Sequence, residues 1–185
     1  ENTIMKATGI VRRIDDLGRV VIPKEMRKTL RIKEGDPLEI FTNKEELVFK
    51  KYSPIESVGE LTELVAKGLE NICEKTCVIT DTDKVIYASS KCKDFIGKEI
   101  SSELASVIKE RKSILNSKGD GGKIIPLVKN DDYGIENQIV VPIINGGDCY
   151  GTIILADKDK TLRFSSQDVN IVRLGAYVLA EQFSV

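Results

Sequence analysis

Residues 6–41 read KATGIVRRIDDLGRVVIPKEMRKTLRIKEGDPLEIF, and this stretch decides the fold of the N-terminal part of the chain. Residues 1–33 hold nine Lys and Arg against four Asp and Glu, while the whole 185-residue chain carries a formal net charge of -1. The near-neutral total hides a basic head on an acidic body. Within the head, residues 9–14 form an apolar-flanked run containing Arg12 and Arg13 that reads as a short strand. An Asp15-Asp16-Leu17-Gly18 turn follows, its glycine able to supply positive φ, and Arg19 stands just beyond it. Val20, Val21 and Ile22 read as a buried strand. Pro23 suits the first turn of a helix over about residues 24–30. That helix places Met26 and Leu30 on one face and Arg27 and Arg31 on another, with Lys24 and Lys28 widening the basic face.

Like charges at such spacing repel one another by tenths of a kcal/mol, so a merely solvated face gains nothing from the arrangement, whereas a polyanion relieves it. A lysine-rich solvated face is the usual meaning of a basic run. Here arginine dominates, and its planar fork matches phosphate and guanine in a way lysine does not. Double-stranded DNA is the partner this pattern points to.

The run TGIVRRIDDLGRVVIPKEMRKTL, followed by RIKEGDPLEIF and a strand over residues 47–52 ending in KKY, resembles the AbrB-like transition-state-regulator domain across nearly all of residues 5–52. The resemblance implies a dimeric swapped-hairpin β-barrel in which two chains interleave their hairpins. It places the DNA contacts on Arg12, Arg19 and Arg27, with Lys28 and Arg13 as basic equivalents. Antitoxins share this fold, so the fold alone does not specify transcription. The resemblance also implies readout of DNA shape more than of a strict base code. Elementary physics agrees about pairing: a segment of about 50 residues buries too little of its surface to stand alone, and its short strands leave open edges. Two copies of the five basic residues reach at most about ten phosphates, for a slope of log affinity against log salt of up to roughly -9.

With 41% hydrophobic and 31% charged residues, the chain has the composition of a soluble globular protein of one or two domains. No apolar run approaches the ~20 residues of a membrane span, and no signal peptide is legible before Met5, so a cytoplasmic location without a membrane partner is expected. The four residues ahead of Met5 read as a remnant and are set aside from the fold. Lys51-Tyr52-Ser53-Pro54 marks a boundary, giving domains over residues 5–52 and 58–183 with a linker over 53–57.

Val58, Leu61, Val65, Gly68 and Ile72 recur at spacings of three and four, broadened by Leu64 and Leu69, and predict a linking helix with one apolar stripe. Residues 77–80 and 85–88 read as a hairpin. A polar helix is expected over about 98–113 and a strand over 123–128. Apolar strands over 138–144 and 149–156 join at Asn145-Gly146-Gly147-Asp148, where Asn-Gly tolerates the positive φ of a tight hairpin. A closing helix starts near Ser166, with Val169, Val172, Ala176, Leu179 and Phe183 on one stripe. Helix, strand pair, helix, three strands, helix is an α+β order.

That order, together with VVPIINGGDCYGTIIL, resembles a GAF domain over about residues 57–183. The expected fold class is therefore α+β: an N-terminal swapped-hairpin β-barrel followed by a GAF-like antiparallel sheet flanked by helices. The Asn-Lys-Phe-Asp-Glu signature of cyclic-nucleotide GAF domains is missing from the sequence. A head and body of these two kinds resemble the two-domain transcription regulators of sporulation in endospore-forming bacteria. The resemblance implies a global activator and repressor of forespore genes, nucleoid-associated. It implies self-association as a dimer through the head and a tetramer through the body, with an unidentified small-molecule effector.

The chain has no histidine, which removes every Ser-His and Cys-His nucleophile scheme and most zinc sites. No catalytic residue, metal or cofactor is expected. Asp131 and Asp132 read as solvated turn residues, and residues 118–123 lack the Gly-Lys-Ser/Thr ending of a phosphate loop and read as a flexible connector. Cys73, Cys77, Cys92 and Cys149 are irregularly spaced and read as small buried thiols. Cys92 stands between Lys91 and Lys93 in an expected loop, where positive neighbours would lower its pKa and make it a redox switch. Two functions follow. One is a transcription regulator whose body holds a small molecule in a sheet-lined pocket and acts through the linking helix. The other is a GAF-type cysteine-dependent redox enzyme that uses the head for assembly.

Overall fold

A computed structural model of the chain describes residues 8–130 and 133–183. The Asp131-Asp132 pair and the opening Lys6 and Ala7 of the basic stretch lie outside the described residues. The chain divides between Tyr52 and Ser53 into two compact units.

In the head, Asp15 builds the turn. Its Oδ1 accepts from the amides of Leu17 and Arg19 at 3.0 and 2.8 Å, and Gly18 follows at φ +76°. Helix α1 (Lys24–Leu30) starts behind Pro23 and ends at Arg31, whose left-handed φ of 55° lets its amide reach the carbonyls of Arg27 and Lys28. Arg31 therefore caps the helix instead of extending the Arg27 face, as the spacing had predicted. Strands β1 (Leu38–Asn43) and β2 (Glu46–Lys51) form an antiparallel hairpin. Residues 9–14 and 20–22 pair with no strand, and the expected burial of the second run does not occur: Val11 is 84% and Val21 73% exposed. The cause is a shortage of partners, since β1 and β2 use their ladders on each other and no closed barrel forms in one chain. Among the described residues of the head, Pro23 alone is buried.

The body opens with α2 (Pro54–Ser57), capped by the Ser53 hydroxyl and carrying a fully buried Ile55. Residues 53–57 are thus folded into the body and are not the free linker that the proline suggested. Helix α3 (Gly59–Cys73) leads into strands β3 (Thr76–Thr80) and β4 (Val85–Ala88). A 3-10 segment, Ser90–Phe95, precedes helix α4 (Ser102–Glu110) and strand β5 (Ile114–Ser117). The unit closes with β6 (Asn137–Asn145), β7 (Asp148–Asp157) and α5 (Ser166–Ala180). The five strands lie in the order β4-β3-β7-β6-β5, every neighbour antiparallel.

Both faces of this sheet are covered, so its central strands are apolar throughout. Cys77, Ile79, Ile139, Val141, Ile153 and Leu155 point to the layer of α2, α3 and α5, while Val78, Val140, Ile154 and Ala156 point to the layer of α4 and the 3-10 segment. Gly175 lets α5 come close to α3, because a Cβ there would meet Val65 Cγ1 at 3.1 Å and Leu69 Cδ1 at 3.3 Å. The hairpin tip takes its positive φ at Gly146 and Gly147, 58° and 88°, with Asn145 still in β6.

Two expectations shift. Residues 123–128 do not form a ladder strand. The Gln138 side chain holds the Ile125 amide and carbonyl in place of a backbone ladder, and β5 occupies the edge of β6. Helix α3 buries Thr62, Ala66 and Leu69, leaving Leu64 and Ile72 at 66% and 67% exposed. The predicted stripe is therefore turned partly outward.

Candidate nucleic-acid interface

The five predicted contact residues are all exposed and sit on three successive pieces of the head. Arg12 and Arg13 lie on the extended run before the turn, Arg19 just after it, and Arg27 and Lys28 on α1. Arg19 is aimed by Asp15, whose Oδ2 accepts from its Nε at 2.8 Å. Those hydrogen bonds from Arg19, backbone first and side chain second, hold the Asp15 carboxyl below the usual carboxylate range. The Asp-x-x-Gly spelling of the turn could have pointed to this orienting role, because Asp caps such turns through its own side chain. Arg31, exposed at the end of α1, adds a further cation beside the predicted set.

None of the four thiols of the body is activated. Cys92 is fully buried, and burial foremost, with Asp94 and Glu70 adding to it, pushes its thiol up to about 11 against a smaller lowering by Lys158. The expected activation of Cys92 is therefore reversed. Burial likewise raises Cys77 far above the ordinary thiol range and raises Cys73 and Cys149. On the α4 side of the sheet, Phe95, Leu104, Leu127 and Ile135 are buried in one apolar layer. Among the described residues no group of His, Cys, Asp and Glu is arranged to hold a metal ion.

An exposed arginine-bearing head joined to a three-layer body of GAF type defines a DNA-binding transcription regulator. Residues 57–184 match the family model described as Stage V sporulation protein T C-terminal, transcription factor, and the chain belongs to the stage V sporulation protein T family. Stage V sporulation protein T of Bacillus subtilis (strain 168) is 46% identical over 160 residues, covering 85% of this chain and 88% of that protein. Residues 11–57 match the model described as Antidote-toxin recognition MazE, bacterial antitoxin. Transition state regulatory protein AbrB of the same bacterium is 60% identical over 50 residues, 27% of this chain and 52% of AbrB. The GAF domain from Acinetobacter phosphoenolpyruvate-protein phosphotransferase superposes with a TM-score of 0.54 at 10% identity, covering 64% of this chain and 77% of that one.

Proposed function

We propose that two copies of the chain interleave their heads, residues 5–52, and that the joined heads grip duplex DNA through Arg12, Arg13, Arg19, Arg27 and Lys28 of each copy. The observation that carries this reading is the head's lack of a core: Pro23 is its one buried residue among those described, while Ile10, Val11, Ile14, Val20, Val21 and Phe49 are exposed. A unit with so much uncovered apolar surface is completed by a partner. Residues 58–183 form the regulatory part. Exposed Leu64 and Ile72 on α3 and Leu174, Tyr177 and Val178 on the adjoining α5 make an apolar surface that supports pairing of bodies and hence a tetramer. The name of the Bacillus subtilis relative supports a role in sporulation. Activation of some forespore genes and repression of others, on the nucleoid and under the control of a small-molecule effector acting through α3, completes the proposal.

A cysteine-dependent redox enzyme is not favoured, since Cys77 and Cys92 are buried and protonated at neutral pH. The testing experiment is a DNA titration over several salt concentrations with the parent chain and the Arg12→Ala and Arg19→Ala variants. Each variant removes two phosphate contacts from a dimer, so the log–log slope should become shallower by about 1.8 with folding unchanged. Parent and variant slopes that coincide would take both arginines out of the interface.

A further inference from the structure

The turn over residues 15–19 is closed on itself. The Asp15 amide donates to the Arg19 carbonyl and the Gly18 amide to the Asp15 carbonyl, both at 3.0 Å. The Asp15 carboxylate takes the amides of Leu17 and Arg19 on Oδ1 and the Arg19 Nε on Oδ2. Five hydrogen bonds thus fall within five residues. An exposed ion pair contributes little stability by itself, because two side chains must be ordered to make it. Here two backbone amides already fix the acidic end, so the guanidinium is the one part left to order. Every partner lies inside the turn, and pairing of heads is not needed to build it.

Arg19 differs in this from the other four predicted contacts. Among the described residues Arg13, Arg27 and Lys28 have no side-chain hydrogen bond or ion pair, and Arg12 has only a 3.3 Å bond from Nη1 to the Val11 carbonyl. Those four are cations with a full charge to give to a phosphate. Arg19 carries a carboxylate at its Nε, yet its Nη1 and Nη2 take part in no hydrogen bond among the described residues, and its side chain is 70% exposed. The Nη1–Nη2 edge is left as a pair of parallel donors suited to two oxygens of one phosphate. A carboxylate across a guanidinium from a phosphate, about 6 Å away, weakens that contact about threefold in water at low ionic strength. Grip alone is better served without it.

We propose that Asp15 is a positioning residue that sets the DNA selectivity of the head. By holding the guanidinium of Arg19 in one orientation, it turns a diffuse charge contact into a directional one, made in full only where the duplex places a phosphate in line with the Nη1–Nη2 edge. Phosphate positions follow groove width and bend, so the pair reads the shape of the duplex and not its base edges. The selectivity costs affinity for arbitrary DNA, through the repulsion of the carboxylate. The inference rests on the reading of Arg19 as a DNA contact.

Asp15→Asn tests this, because asparagine keeps the Oδ1 acceptor that closes the turn and replaces the oxygen that holds Nε with a donor. The full chain is titrated with two probes, a duplex enriched from a random-sequence pool by selection on the parent, and the unselected pool itself. On the pool the variant should bind about tenfold more tightly than the parent, about threefold for each of the two carboxylates removed from a head pair. On the selected duplex that relief should be offset by the ordering of two freed guanidiniums, so the ratio of the two affinities should fall about tenfold. The salt slope should stay as in the parent, since no phosphate contact is lost. Arg19→Lys, which keeps the charge and lacks the planar fork, should lower the same ratio. A folded Asp15→Asn protein with the parent's ratio, or one weakened equally on both probes with a shallower slope, would overturn the proposal. So would a selection on the parent that enriches nothing over the pool. If circular dichroism shows Asp15→Asn misfolded, Arg19→Lys decides, and an unchanged ratio overturns the proposal. Arg19→Ala with the affinity and slope of the parent would instead take Arg19 out of the interface, and the role of Asp15 with it.

Discussion

Between Lys91 and Lys93 the thiol of Cys92 reads as activated, yet its side chain turns into the layer of Phe95 and Leu104. Burial disfavours the thiolate, so the folded pKa, about 11, lies above the ordinary 9.0. The stability this group contributes is fully present below the unfolded value and is lost as pH rises from about 9 through about 11. At neutral pH an alkylating reagent should therefore label Cys73 and Cys149 ahead of Cys92 and Cys77, with Cys92 becoming reactive as the body loosens in that alkaline window. Mass spectrometry of digested protein reads this out, and rapid full labelling of Cys92 at neutral pH would contradict it. Asp15 shows the reverse relation. Its position in the turn is readable from local chemistry, because an Asx side chain reaches only its near neighbours, whereas the surroundings of Cys92 come from distant strands.

Helix α5 depends on its first turn. Ser165 Oγ accepts from the Asp168 amide at 3.2 Å while Asp168 Oδ2 accepts from the Ser165 amide at 2.7 Å, a reciprocal capping box. Ser165→Ala should cost the body about 1 kcal/mol and lower its Tm by roughly 3 °C. Thermal melting followed by circular dichroism measures this; a Tm equal to the parent's would show that α5 is held by packing alone. The cap was legible to within one residue, as were α1, the β3–β4 hairpin and the β6–β7 hairpin, since each is written in short-range periodicity and turn chemistry. Strand β5 and the path of residues 123–128 were not, because Gln138 and the free edge of β6 choose between them and neither is local. Helix α3 was legible as a helix but not in its rotation: Thr62 is buried because its hydroxyl donates to the Ile55 carbonyl, a contact no apolar periodicity encodes. The arginines of the head could be read from composition, whereas the facing of Ser117 and Asn137 depends on a cross-strand register and could not.

At the level of the whole molecule, the exposed large apolar side chains among the described residues gather mainly in two places, the head, in its extended runs and its β1–β2 hairpin, and the outer sides of α3 and α5. Helix faces such as those of Leu64, Ile72, Leu174 and Tyr177, adjoining but uncovered in one chain, are the kind of patch that marks an association surface. If heads pair through one patch and bodies through the other, the two contacts are separable, and each can be broken alone. A Leu64→Glu, Leu174→Glu double variant places charge on the body surface without touching the sheet core, so the folded mass in solution should fall from four chains to two while the head pair survives. DNA affinity should then drop by more than the loss of any single contact, because two head pairs linked through their bodies bind one duplex with a raised effective concentration, a gain of about 100-fold or more where the geometry permits both to engage. The salt slope per head pair should stay as in the parent, since the phosphate contacts of each pair are untouched. Light scattering beside a DNA titration decides the matter: an unchanged mass would show that α3 and α5 do not join bodies, and a reduced mass with unchanged affinity would show that the bodies associate without linking the heads on DNA.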